Sequence, residues 1–378
     1  MNFTPGYLVS LIIFISIYAL FGLGLNLQWG FTGLINFGHV AFMAVGAYTT
    51  VLLSLQGVPL FIGALVGAAL AALLGLFVGI STLRLREDYL AIVTIGLSEM
   101  IRLIVNNQEL PVGNGQWRSG VFGLQGFPLP FNNVTLNPFL QFFLVAVLTG
   151  IAGLGGWQLW RWMRKQLQQG KMRGSSPIAS LIMGIIGAIL GLVVYIVGLI
   201  SIIDANNFTY KTGLMVVLLL VLTVVFWAWE RLVNAPWGRV LKAIREDEQV
   251  PKALGKNVFW YKLQSLMLGG AIAGFAGAFY AWQLATVYPD NFQPQITFDA
   301  WTIIILGGAG NNYGTLLGAI IFWGYFEGTR FVLPGLLPFD DARLGAFRIM
   351  VIGFLLIILM MVRPQGILGK KEELTLGK

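Results

Sequence analysis

Cysteine is absent from this 378-residue chain, and histidine occurs once, as His39. The absence of cysteine excludes disulfide bonds and thiolate metal sites, and one histidine excludes histidine-rich metal centres. Charge is also scarce, because only 11% of the residues are Asp, Glu, Lys or Arg, against about 25% in a typical soluble domain. None of these four types occurs from Met1 to Leu83. So little charge is typical of a membrane protein.

Apolar runs fill most of the chain, and 57% of its residues are hydrophobic. Since about 20 apolar residues cross a bilayer as a helix, we predict an all-α polytopic transmembrane bundle. It forms a single membrane domain over residues 1–378, with about eleven spans (nine to twelve). The predicted spans are 7–27, 33–53, 60–83, 89–105, 138–160, 178–203, 212–229, 263–284, 298–306, 314–332 and 347–362.

The ninth apolar run, residues 298–306, is short and ends in the glycine-rich sequence GGAGNNYG. Irregular backbone is tolerated at membrane depth only where protein or water covers it. This segment is therefore either a short crossing or a broken, re-entrant element.

Lys and Arg are distributed unequally between alternate loops. With the N-terminus on the outer side, 18 basic residues fall on the inner side and five on the outer side, whereas the acidic residues split eight to seven. Cytoplasmic loops carry this excess of Lys and Arg. We therefore predict a periplasmic N-terminus and three cytoplasmic segments: a basic loop at 161–174, a charged segment at 230–262 and a tail at 363–378. The same bias accounts for the net charge of +8 without nucleic-acid binding.

The charged segment (residues 230–262) contains eleven charged residues between two apolar runs. Its sequence predicts a helix from Trp237 to Gln249, started by Asn234 or by Asn-Ala-Pro with Pro236 near the first turn, bent or restarted at Pro251 and ended by Gly255. One face of that helix is apolar and carries Val240, Leu241 and Ile244. A helix of this kind either lies on lipid headgroups or inserts into a groove on a cytoplasmic partner.

No catalytic motif is visible. Gly255 and Lys256 are followed by Asn257, so the phosphate-binding motif G-x-x-x-x-G-K-[ST] is missing, and no Ser-His-Asp set is assembled. We expect a transport subunit that is not an enzyme, has no ATPase site of its own and needs no cofactor or metal.

Four stretches, in order along the chain, resemble the permeases of branched-chain amino-acid ABC transporters, most closely the M-type subunit. They are LNLQWGFTGLINFGHVAFMAVGAYT (25–49), RLREDYLAIVTIGLSEMIRLIVNN (84–107), GRVLKAIREDEQVPKALGKN (238–257) and LGGAGNNYGTLLGAIIF (306–322). The resemblance implies import of neutral or branched-chain amino acids across a bacterial inner membrane. It implies as partners the lipid bilayer, a second permease in a heterodimer, two cytoplasmic ATPase subunits and a periplasmic substrate-binding protein.

The resemblance also identifies the charged segment as the loop that couples the permease to its ATPases. The residues expected to make that contact are Arg239, Lys242, Arg245, Glu246, Asp247, Glu248 and Gly255. The chain departs from the family pattern at Glu87, at Pro251 and Lys252, and in residues 138–203, which look like an inserted helical pair.

Polar residues inside predicted spans are candidates for the translocation path, because charge at membrane depth is costly. Asn36 and His39 serve either as hydrogen-bonded packing residues or as substrate contacts. Glu99 and Arg102, one turn apart, form either a structural ion pair or a polar part of the path. The rival functions are a urea permease of the same superfamily, an ion-driven secondary transporter and a membrane scaffold without a path.

Overall fold

Helices dominate a computed structural model of the chain, which describes residues 5–84, 87–113, 115–132, 137–173, 177–203, 209–336 and 340–369. Within these ranges, eight helices are long and apolar enough to cross a membrane. The all-α polytopic class predicted from the sequence is therefore confirmed.

Thirteen α-helices and four short strands are present in the described residues. The helices are α1 (Pro5–Asn26), α2 (Val40–Leu55), α3 (Leu60–Thr82), α4 (Glu87–Asn107), α5 (Pro138–Arg173), α6 (Pro177–Ile203), α7 (Tyr210–Asn234), α8 (Pro236–Glu246), α9 (Gln249–Ala253), α10 (Val258–Leu284), α11 (Gln295–Gly307), α12 (Asn312–Leu336) and α13 (Asp341–Val362). The strands are β1 (Glu109–Gly113), β2 (Gln116–Ser119), β3 (Leu124–Gln125) and β4 (Thr286–Val287), and they form the antiparallel pairs β1–β2 and β3–β4.

The chain divides into two compact units where the sequence suggested one domain. The first comprises Met1–Ile13 and Pro130–Val224, and the second Phe14–Leu129 and Val225–Lys378. The predicted tail, 363–378, is described only as far as residue 369, where Arg363 to Gly369 continue beyond α13 without regular structure.

Helices α2, α3 and α10 form the tightly packed core of the second unit, and glycine lets their backbones meet. A Cβ on Gly46 would lie only 1.9 Å from the carbonyl oxygen of Gly274, and a Cβ on Gly277 only 2.0 Å from that of Met43. Gly67 also faces Gly46, with 2.7 Å between its would-be Cβ and the Gly46 oxygen. Small residues give membrane helices this close approach.

The short helix α11 packs against α12 in the same way. A Cβ on Gly318 would lie 2.0 Å from the Ile303 carbonyl oxygen. With 13 residues, α11 is about 20 Å long at 1.5 Å per residue, which is shorter than the roughly 30 Å hydrocarbon core. The short ninth apolar run in the sequence therefore corresponds to a short helix.

In the first unit, α5 and α6 form a helical hairpin. Leu159 packs against Gly187, and the Gln141 amide donates to the carbonyl of Ile202 at 3.1 Å. Helix α5 continues to Arg173, so the predicted basic loop over 161–174 is helical as far as that residue, and its cytoplasmic location stays a prediction. No glycine or proline interrupts residues 161–169, and nothing there stops the helix.

Two other boundaries differ from prediction. The second span was predicted to start at residue 33, but α2 begins at Val40, because a π turn (Leu27–Phe31) and Gly33, with φ +81°, lead into a non-helical segment. In the charged segment, α7 extends to Asn234 and α10 begins at Val258. The helix predicted over 237–249 is divided into α8 and α9.

Candidate functional site

Helix α8 begins where the sequence predicted, after an extended Ala235 that places Pro236 in the first turn. Its apolar face is buried through Leu241 and Ile244. Gly238 lies on the same face, where a Cβ would come within 2.2 Å of the Val233 carbonyl oxygen. The helix is therefore seated firmly on its own chain.

Two cations predicted as ATPase contacts also contact the π turn of their own chain. The Arg245 Nη1 atom donates a hydrogen bond to the carbonyl oxygen of Gly30. Nζ of Lys242 lies 5.5 Å from the centroid of the Phe31 ring, within the range of a cation–π contact. Gly33 passes beneath Arg245, with 3.5 Å between its would-be Cβ and the Arg245 Cα. These side chains attach α8 to the end of α1.

Glu248 stands at the junction of α8 and α9 and is paired within the chain. Its carboxylate binds the ammonium of Lys262, which is 90% buried, and lies 3.3 Å from that of Lys252. Nearby, the Asp247 side chain accepts a hydrogen bond of 2.8 Å from the Gln249 amide and starts α9. Glu248 thus holds α9 against α10.

Gly255 closes α9 as expected of a helix C-cap. It has φ +74°, and its amide donates to the Lys252 carbonyl at 3.0 Å. The Lys256 amide donates to the carbonyl of Pro251 at 2.9 Å, which completes a Schellman-type ending. Pro251 itself is buried in α9 rather than at a bend.

The outward surface of the charged segment is partly apolar, which sequence reasoning missed. Arg239, Glu246 and Asp247 are exposed, as predicted for contact residues. Beside them Val250 is 53% exposed and Leu254 is 74% exposed. The signal was present, because Val250 and Leu254 are four residues apart and share one face. We call these five residues the docking surface.

Polar side chains also connect α7, α12 and α1. Glu230 accepts hydrogen bonds from Asn234 at 3.0 Å and from Asn312 at 3.1 Å. Asn312 also accepts from the Asn26 side chain at 3.4 Å, and Asn26 accepts from the Gly310 amide at 2.9 Å. We call Glu230, Asn312 and Asn26 the polar seam. Sequence reasoning did not identify it, since the three lie far apart in the chain.

Asn36 lies in the non-helical segment before α2 and is fully buried. Its amide donates to Gln28 at 2.8 Å, its side-chain oxygen accepts from Gly38, and its backbone oxygen accepts from the Trp301 indole at 3.1 Å. His39 is also fully buried, with ring centroids 4.7 Å from Phe21. Both candidates for the path therefore lie together in the packed interior.

Glu99 and Arg102 are paired, and the pair extends to a third residue. Arg102 binds Glu99 through Nε at 3.1 and 3.0 Å and through Nη2 at 2.5 Å, and it binds Asp290 through Nη1 at 2.6 Å. On the same helix, Thr94 accepts from the amide of Phe37. Arg102 is eight residues beyond Thr94, or about 12 Å along the axis. The four path candidates therefore lie in two separate regions, with Asn36 and His39 in one and Glu99 and Arg102 in the other.

We predict that Glu99 and Arg102 stabilise the permease without touching substrate. Replacing either by Leu leaves the other's charge without its partner, so membrane abundance should fall. The double variant should recover much of it, because Asp290 is 73% exposed and stays hydrated alone. Quantitative immunoblots of membranes, with uptake divided by abundance, measure both effects. Loss of uptake per molecule in the double variant would contradict this.

Within the described residues, no cluster of three or more His, Cys, Asp or Glu side chains is arranged to hold a metal ion.

Comparison with known proteins agrees with this architecture. A family model described as "Branched-chain amino acid transport system / permease component" matches residues 7–360. The chain belongs to this family. It is 30% identical over 354 residues to the Escherichia coli high-affinity branched-chain amino acid transport system permease protein LivM, covering 93% of this chain and 68% of that one.

Other members match over different extents. A probable branched-chain amino acid transport permease protein LivM of Methanocaldococcus jannaschii is 24% identical, with 97% of this permease and 95% of the relative covered. The LivH permease protein of Salmonella typhimurium is 30% identical over 140 residues, or 36% of this permease and 40% of LivH. No solved structure matches the chain.

Proposed function

We propose that this permease is the M-type subunit of an importer that carries branched-chain or other neutral amino acids inward with energy from ATP. It forms the path with a second permease, receives substrate from a periplasmic binding protein and is driven by two separate ATPase subunits. Family membership supports the importer class, and the names of its relatives support the substrate class.

The observation that carries the coupling proposal is the braced helix α8. A helix that merely rested on lipid headgroups would present its apolar face to the membrane. Here Leu241 and Ile244 are buried in the protein, while Arg239 and Glu246 are exposed. The docking surface therefore combines exposed charges with two exposed apolar side chains, which suits contact with a protein.

The orientation belongs to the same proposal. The excess of Lys and Arg places the charged segment on the cytoplasmic side, where ATPase subunits have access to it. The N-terminus is then periplasmic and the C-terminus cytoplasmic.

Motion of the ATPases reaches the membrane helices through contacts already described. Arg245 attaches α8 to Gly30 at the π turn, and the polar seam attaches α7 to the start of α12. Because both routes end on α1 and its π turn, a small movement of α8 shifts the segment that carries Asn36. We assign Asn36 and His39, rather than Glu99 and Arg102, to the part of the protein nearest the path.

The decisive test is transport by the reconstituted complex of this permease, its partner permease, the ATPases and the binding protein. Labelled leucine should accumulate only with ATP, glycine more slowly, and urea not at all. Uptake of urea in place of leucine would identify the rival urea permease. Uptake driven by an ion gradient without ATP would overturn the proposal.

The exposed apolar residues of the docking surface give a sharper prediction. Leu254 is 74% exposed, so Leu254→Ser should leave the melting temperature of the isolated permease unchanged. Burying a leucine side chain contributes about 1.5–3 kcal/mol, so ATPase affinity should fall by about tenfold or more. Titration of ATPase subunits onto the permease in nanodiscs measures this affinity. Equal affinity for the wild type and the variant would remove Leu254 from the interface.

A further inference from the structure

Helix α5 is too long for the bilayer that it crosses. Its 36 residues correspond to about 54 Å, whereas the hydrocarbon core is about 30 Å thick. The helix starts at Pro138, and Trp157 and Trp160 follow 19 and 22 residues later, which is about 30 Å along the axis. Both indoles are 45% exposed, as is usual for tryptophan at a membrane–water interface.

Beyond these tryptophans the helix is basic. Residues 161–173, which we call the basic end, contain Arg161, Arg164, Lys165, Lys171 and Arg173. No Asp or Glu occurs between Glu109 and Asp204, so the hairpin of α5 and α6 contains no acidic side chain to neutralise them. By sequence, the hairpin therefore contains five cations and no anion from residue 161 onward, beginning at the level of the interfacial tryptophans.

The two arginines nearest the membrane are held in place by the tryptophans. The guanidinium carbon of Arg161 lies 3.7 Å from the ring centroid of Trp157, and that of Arg164 lies 3.7 Å from that of Trp160. Stacking occupies the face of each guanidinium and leaves its N–H edge available. That edge is the part of arginine that binds phosphate oxygens in bidentate fashion.

We propose that the basic end of α5 is a binding surface for the headgroups of anionic phospholipids. The tryptophans set the depth of the helix, and the stacked arginines bind the headgroup phosphates. Clusters of four to eight basic residues next to a membrane helix are typical of such recognition.

Native mass spectrometry of the full-length permease in mild detergent, titrated with phosphatidylglycerol or with phosphatidylcholine, tests this. The wild type should bind the first phosphatidylglycerol more tightly than phosphatidylcholine. Each removed cation should weaken that preference by about fivefold, so Arg161→Gln with Arg164→Gln should reduce it by roughly 25-fold. Salt should reduce the wild-type preference as well.

Two variants make the experiment discriminating. Arg330→Gln with Arg343→Gln removes the same charge from exposed positions of α12 and α13 and should leave the preference unchanged. Arg161→Lys with Arg164→Lys retains the charge and should keep most of it. Size-exclusion profiles show whether each variant is folded. If the glutamine pair is not folded, the lipid preference of the lysine pair is used in its place.

The proposal is overturned if the α12 and α13 variant loses the preference equally, because net charge would then explain the binding. It is also overturned if the glutamine pair binds phosphatidylglycerol like the wild type. A glutamine pair that keeps its lipid but no longer co-purifies with the ATPase subunits would make the basic end a protein-docking surface instead.

Discussion

An Arg245→Glu permease should assemble with its ATPase subunits and yet lose most of its amino-acid-stimulated ATP hydrolysis. In the wild type the guanidinium of Arg245 donates to the Gly30 carbonyl. An ionised glutamate side chain at this position has no proton to donate to that oxygen. A hydrogen bond from a charged group contributes about 1.5–3 kcal/mol, so the attachment of α8 to the π turn should weaken by about tenfold or more. Stimulated hydrolysis by the reconstituted complex should fall by a similar factor.

Two neighbouring substitutions distinguish coupling from docking. Arg245→Lys retains a cationic donor and should recover part of the stimulated activity. Arg239 is exposed on the same helix, so Arg239→Glu should weaken ATPase binding itself and leave the contact with Gly30 in place. Stimulated hydrolysis at the wild-type rate in Arg245→Glu would show that this contact transmits nothing.

The largest loss of stability should come from Gly46→Leu. Even a Cβ at this position would lie 1.9 Å from the oxygen and 2.4 Å from the Cα of Gly274. Both are backbone atoms, which cannot move aside as the end of a flexible side chain can. Helices α2 and α10 must separate, at a cost of about 3 kcal/mol or more. The variant should be nearly absent from the membrane, as measured by fluorescence-detected size exclusion.

Gly353→Leu is the matched control, because nothing lies within 4 Å of a Cβ at that position of α13. The same side chain added there should leave abundance and melting temperature close to the wild type. Normal abundance of Gly46→Leu would mean that α2 and α10 do not pack as closely as described.

Local sequence signals predicted the elements that depend on local physics. Apolar runs predicted most of the membrane helices, because a span needs only length and hydrophobicity. Pro236 and Gly255 predicted the start of α8 and the end of α9, since both residues act through their own backbone angles. Local signals did not show how far α5 extends beyond its span, because polar composition alone does not end a helix.

The candidate site was predictable only in outline. The charge pattern identified the charged segment, and Arg239, Glu246 and Asp247 are exposed there. Which cations face inward was not predictable, because Arg245 meets Gly30 across 215 positions of sequence. The same holds for Glu248, whose pairing with Lys262 depends on how α9 folds back against α10.

By itself the sequence determined that the chain is an all-α membrane protein, which family it resembles and which loop carries its charge. Hydrophobicity and charge decide the class and the position of the charged loop residue by residue, and four stretches of sequence carry the resemblance. None of these needs knowledge of contacts. The tertiary structure alone decided that α8 is attached to the π turn, that the polar seam links α7, α12 and α1, and that the path candidates fall into two places. Each of these depends on contacts between residues far apart in the chain, such as Arg245 with Gly30 and Asn312 with Glu230, and those contacts are set by how the helices pack.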